Sequence, residues 1–153
     1  MKVQYINPFV TAAFDVLKTV LGEEPSKGNL SMRPALFTSH QCNIITGVTG
    51  KIEGQVIYGM SLITADKVAS QMIGQPIRTF DQLAASAIAE LGNMITGNAM
   101  SHLSQSGYVC DITPPTIVRG SNVKLSTLNI PALVVPICSE FGEIEMTVSL
   151  REK

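Results

Sequence analysis

AIAELGNMITGNAMSHLS, residues 87–104, decides how the rest of the chain is read. Successive residues of a helix turn by about 100°. On that wheel Ala84, Ile88, Leu91, Ile95, Ala99 and Leu103 gather on one side and should pack on a sheet. Ser86, Glu90, Asn93, Gly97 and Ser101 gather opposite, with Leu83 and Met94 beside them and Asn98 just off the stripe near Met94. An ordinary solvated helix face is filled with Lys, Glu, Gln and Arg. This one has no Lys or Arg from Arg78 to Arg119, and it contains Gly92 and Gly97. A glycine inside a helix costs about 1 kcal/mol relative to alanine. Two readings explain that cost. The small residues leave room for a partner to dock, or they let another helix, such as residues 6–21, pack closely.

Working outward, Thr79 is placed to cap this helix, with Gln82 at the capping-box position, so the helix is expected from about Phe80 to Leu103. A shorter helix should open at Thr64 or Ala65 and run through Met72, closed by Gly74 and Pro76. Residues 6–21 carry Phe9, Ala13, Val16, Leu17 and Val20 at helical spacing, and Asn7 followed by Pro8 has the form of a cap and first turn. Residues 28–37 read as a strand in which Pro34 argues for an edge or a bulge. Residues 42–50 and 54–63, separated by KIEG, read as a hairpin. After Gly107, residues 107–113 are strand-like up to Pro114 and Pro115, residues 122–128 carry no clear pattern, and residues 130–138 and 141–150 form a second hairpin around Ser139 and Glu140.

In the last strand Ile144, Met146, Val148 and Leu150 alternate with Glu143, Glu145, Thr147 and Ser149. The order is a helix, three strands, a short helix, the long helix, then three or four strands. That is an α+β fold: a mainly antiparallel sheet with long helices packed on it, in two pseudo-repeated halves of a helix followed by three strands. The length, 153 residues, suits a single domain over 1–153. The amphipathic C-terminal strand is the expected site of pairing with a second copy.

At 45% hydrophobic and 15% charged residues the chain should fold. Eleven basic against twelve acidic residues, with no basic stripe, argue against a nucleic-acid partner. No run of apolar residues is long enough to span a membrane, and MKVQYINPFV lacks the parts of a signal peptide. Three widely spaced cysteines, Cys42, Cys110 and Cys138, suggest reduced thiols that fill the core of a cytoplasmic protein. His40 and Cys42 alone do not make a zinc site, so no metal of its own is expected.

Glu90 and Asn93 lie three apart on one helix face. A carboxylate can pair with a lysine, and a carboxamide both donates and accepts, so it can hold a water in a chosen orientation. Neither is a nucleophile here, and no Ser-His-Asp set or phosphate-cradling glycine loop accompanies them. His102 falls on the buried side of the wheel, where a boundary role is expected.

This helix resembles the signature helix of the CheC/CheX/FliY group of bacterial response-regulator phosphatases, on Glu90, Asn93, Gly97 and Asn98. Ser86 fits a position four before the Glu, and Pro114 or Pro115 fits a proline one strand later. YINPFVTAAFDVLKTV resembles the first helix of CheX proteins, which lacks the catalytic pair, whereas CheC-like proteins usually carry two such helices. The resemblance implies a CheX-like phosphatase acting on phosphorylated CheY. Its substrate would supply the aspartyl phosphate, the Mg2+ and a lysine. Glu90 would anchor on that lysine and Asn93 would orient water for in-line attack, with Ser86, Met94, Gly97, Asn98 and Ser101 as docking residues. It further implies a homodimer joined through sheet edges, for which residues 141–150 are the candidate. Two rivals are a regulator-binding module without hydrolysis and a structural component of a chemotaxis or flagellar switch complex.

Overall fold

The computed structural model describes residues 3–127 and 130–153. Its first helix, α1 (Val3–Leu21), buries Tyr5, Ile6, Phe9, Ala12, Ala13, Val16, Leu17 and Leu21 along one stripe. The burial of Tyr5 and Ile6 carries the helix N-terminal of the expected Asn7 cap, so Pro8 lies inside it. A proline there leaves one carbonyl of the preceding turn without its helical donor. β1 (Ser26–Lys27), β2 (Ser31–Arg33) and β3 (Leu36–Thr38) follow as short pieces. The strand expected over 28–37 is thus split, with Pro34 in the break. β4 (Cys42–Gly50) and β5 (Ile52–Met60) make the first hairpin.

α2 (Leu62–Ile73) starts earlier than expected because Ser61 caps it, its hydroxyl accepting from Thr64 N at 3.1 Å. Gly74, at φ 84°, closes it. α3 (Gln82–Gln105) is the longest element. Its N-cap is Asp81, not Thr79; the carboxylate accepts from Ala84 N at 2.9 Å. Then come β6 (Cys110–Ile112), β7 (Thr116–Arg119), β8 (Lys124–Ser126), β9 (Ala132–Ser139) and β10 (Gly142–Glu152). Pro114 and Pro115 sit in the break between β6 and β7. The unassigned stretch 122–128 holds β8, and its last residue lies outside the described residues.

Eight strands form one antiparallel sheet in the order β1-β9-β10-β5-β4-β6, with β2 also on β9 and β7 also on β4. β3 and β8 pair with each other as a separate ribbon. The halves repeat: α1 with β1–β5, then α3 with β6–β10, joined by α2. Each half holds five strands, two of them short and lent to the other half. β1 and β2 flank β9, while β6 and β7 flank β4. The two hairpins meet along β5 and β10, from Ile52↔Glu152 to Gly59↔Glu145.

That topology corrects the expected dimer contact. β10 is a central strand, paired with β5 on one side and with β9 over Gly142–Val148 on the other, so residues 141–150 are not a free edge. Ile144, Met146, Val148 and Leu150 enter the core shared with the helices. Thr147 and Ser149, on the reverse face, are buried too, and Ser149 Oγ donates to Ile130 O at 3.0 Å. On the same face Glu145 accepts from Arg33 at 2.6 Å and lies 3.3 Å from His40 Nε2. The open edges are instead the short strands β1, β2, β6 and β7.

Candidate functional site

α3 presents the candidate residues because its underside is strongly held. Ile88, Leu91, Ile95 and Leu103 are at most 1% exposed. At about 1.5–3 kcal/mol for each large side chain buried, these four contribute about 6–12 kcal/mol. That exceeds the roughly 2 kcal/mol by which two internal glycines weaken the helix. All six apolar residues expected on the sheet side are buried.

The opposite stripe is open. Ser86, Glu90 and Ser101 are exposed, while Asn93 and Gly97 are half-buried. These five fall within an arc of about 80° and along about 22 Å of helix. Met94 and Asn98 are half-buried and turn toward the α1 flank, with Met94 packed against the rim of the core. Met94 and Asn98 therefore border the face, and the other five form it. Leu83, 53% exposed, stands at its N-terminal end. Among the described residues, neither the Glu90 carboxylate nor the Asn93 carboxamide has a hydrogen-bond or ion-pair partner, so both are uncommitted.

The two helix glycines differ in what surrounds them. A Cβ on Gly92 would lie 2.7 Å from Ile44 Cγ2, so Gly92 lets α3 settle on β4. A Cβ on Gly97 would meet nothing within 4 Å. Close packing on α1 therefore does not account for Gly97, although α1 and α3 are neighbours. Sequence reasoning missed two supports. Tyr58 of β5 and Thr96 of α3 share a buried hydrogen bond of 2.7 Å beneath the face. Arg119 of β7 donates to Phe80 O at 2.9 Å and stacks over the Phe80 ring at 5.1 Å, fixing the segment that leads into α3. Tyr58, Phe80 and Arg119 lie outside the helix and carry no helical period, and Thr96 sits at the margin of the apolar stripe, so periodicity flagged neither support.

Among the described residues no group of three or more His, Cys, Asp or Glu side chains could hold a metal. Among them, too, no helix is long and apolar enough to cross a membrane. Cys42 is buried in the core, and burial pushes its thiol up to about 11.

The family described as chemotaxis phosphatase CheX matches residues 42–138. The CheY-P phosphatase CheX of Thermotoga maritima is 37% identical over 154 residues, covering 100% of this chain and 98% of that protein. The chain belongs to the CheX family. A CheX-CheY-BeF3-Mg2+ complex from Borrelia burgdorferi contains a chain of the same fold, with a TM-score of 0.85 and 33% identity over 99% of this chain and 100% of that one. A CheC-like protein from a Shewanella species has a TM-score of 0.89 at 24% identity, over 99% of each chain, and attests the fold alone.

Within this CheX fold the two long helices share a buried spacing and differ at the outward positions. The buried stripe Ile6, Phe9, Ala13, Leu17, Leu21 of α1 has the same spacing as Ile88, Leu91, Ile95, Ala99, Leu103 of α3. Superposing the stripes puts Pro8 and Thr11 where α3 has Glu90 and Asn93. A proline side chain carries no charge or hydrogen-bonding group, and threonine lacks the reach of a carboxamide.

Proposed function

We propose that this chain, as a single domain in the cytoplasm, dephosphorylates a phosphorylated CheY-type response regulator through the open face of α3. What carries the reading is the pairing of two uncommitted polar groups, Glu90 and Asn93, on a face with room for close approach, in a chain of the CheX family. The Borrelia burgdorferi relative occurring in a complex with CheY, BeF3 and Mg2+ supports the partner class.

In this reading Glu90, at the exposed crest, pairs with a lysine of the regulator and fixes the register of docking. Asn93, less than a turn further along the helix, enters the regulator's site. Its carboxamide oxygen accepts a hydrogen bond from a water and aims the water's lone pair at phosphorus. The new P–O bond forms in line as the bond to the aspartate oxygen breaks. Inorganic phosphate and a free aspartate carboxylate result, with one proton released. An amide is no base, so Asn93 contributes orientation only. A Mg2+ bound by the regulator would supply the charge neutralisation that the leaving carboxylate needs, and no residue of this chain is asked to provide it. Ser86, Gly97 and Ser101 extend the docking face, with Met94 and Asn98 at its border. Homodimerisation would use an open edge, and we place it at β2, where Met32 is 59% exposed and the preceding Leu30 47%.

The test is phosphate release from a phosphorylated CheY-type regulator with Mg2+. Wild type should accelerate release. Asn93→Ala should lose about 10²-fold or more while staying folded, and Glu90→Ala should chiefly raise KM. A wild-type protein that binds the regulator and leaves its decay unchanged would sink the catalytic reading in favour of a binding module.

A further inference from the structure

We infer that Tyr58 and Thr96 form a positioning pair that sets the roll of α3 and so the placement of Asn93. The inference rests on the reading of Asn93 as the water-orienting group. Thr96 lies three residues beyond Asn93 on the adjoining strip of the helix and is fully buried; Tyr58, on the central strand β5, is 1% exposed. Their hydroxyls are 2.7 Å apart.

The rest of the α3 underside is apolar, and apolar contact is non-directional. Aliphatic side chains there hold the helix down and tolerate a small rotation about its axis. Gly92 against Ile44 sets its depth. A hydrogen bond at this distance is sensitive to angle, so the Tyr58–Thr96 bond resists roll. The lever is short. A side-chain tip about 5–6 Å from the axis moves about 1 Å for a roll of about 10°. A displacement of about 1 Å at a positioned group can lower a rate by about 10²-fold. Glu90, exposed and flexible, can follow the regulator through the same roll, so docking should survive.

The plainer account is that two core hydroxyls only satisfy one another. The two accounts separate in the double variant Tyr58→Phe/Thr96→Val, which removes both partners together and keeps the shapes close. Removing both partners is often nearly neutral for stability. With positioning, kcat for phosphate release falls by about ten- to a hundredfold, KM for the regulator stays within about twofold, and Thr96→Ser, which keeps a hydroxyl, restores kcat. A double variant that melts like wild type and keeps wild-type kcat overturns the inference. If Tyr58→Phe prevents folding, Thr96→Val against Thr96→Ser makes the same comparison. A wild type that fails to accelerate dephosphorylation removes the reading of Asn93, and this inference with it. That failure is visible in the wild-type arm alone.

Discussion

Gly97→Ala should make the free protein more stable and the phosphatase worse. Gly97 lies well inside α3, its φ is not positive, and an added Cβ meets nothing within 4 Å. The methyl therefore brings only its helix propensity, about 1 kcal/mol. For a chain of this size that raises Tm by about 2–4 °C. On the proposed docking face the same methyl would stand where the regulator approaches. Overpacking of a tight contact costs about 1–3 kcal/mol, which corresponds to a rise in KM of about five- to 150-fold. Gly92→Ala is the control. It gains the same propensity but drives a Cβ to 2.7 Å from Ile44 Cγ2, a β-branched group with no freedom to turn away. Its net effect should be a loss of up to about 2 kcal/mol. Thermal melts of both variants and a titration of dephosphorylation rate against regulator concentration read the two effects. A Gly97→Ala protein with a raised Tm and an unchanged KM would refute the idea that Gly97 keeps the face open for a partner. A lowered Tm would refute the open-space argument itself.

The reverse face gives a pH dependence. The hydrogen bond between His40 and Glu145 raises the His40 pKa above its ordinary 6.5, outweighing desolvation; the charges of Glu145 and Glu143 add to the rise and Arg33 opposes it. The same bond lowers Glu145 below 4.5, with Arg33 helping. The His40 contribution is complete below its unfolded value and fades as pH rises through the folded one; the Glu145 contribution is present above its unfolded value and fades as pH falls through the folded one. Wild-type Tm should therefore drop more between about pH 6 and about pH 8 than that of His40→Ala, and parallel curves would count against the pair. Met32→Lys places a charge on the open edge of β2; sedimentation should show a smaller species than wild type at equal concentration, and an unchanged mass would move the contact away from β2.

How much of this could be read from sequence depends on whether a side chain's partners are local. The long helix was legible because its stripe, from Ala84 to Leu103, keeps one period over more than five turns, and every residue of that stripe is buried. The helix ends were less legible because a cap is decided by one hydrogen bond. Thr79 and Asp81 are both suitable caps, and only the geometry of the Asp81–Ala84 contact selects the second. Strands of two to four residues have too few residues to show a period: β2 and β6 fall inside stretches read as strand-like, 28–37 and 107–113, while β1 and β7 fall outside any such stretch. β1, β2, β6 and β7 exist because the other half of the chain offers them an edge, and that pairing is non-local.

The C-terminal strand shows the limit most clearly. Alternation identifies a strand with one apolar face and says nothing about its neighbours. Thr147 and Ser149 resemble the solvent side of an edge strand, yet both are buried in the middle of the sheet. The exchange of short strands also ties the two halves together. Neither half can flank its own hairpin on the outside, because β1 and β2 complete β9 while β6 and β7 complete β4. The sheet therefore needs both halves, whatever their helices display. Each helix is held by its buried stripe, and α1 and α3 keep the same one. The outward positions are not held by that packing, and they carry Pro8 and Thr11 on one helix and Glu90 and Asn93 on the other. A fold that needs both halves is compatible with the proposed chemistry on one of them, because the buried stripes and the outward positions lie on opposite faces of the same helices.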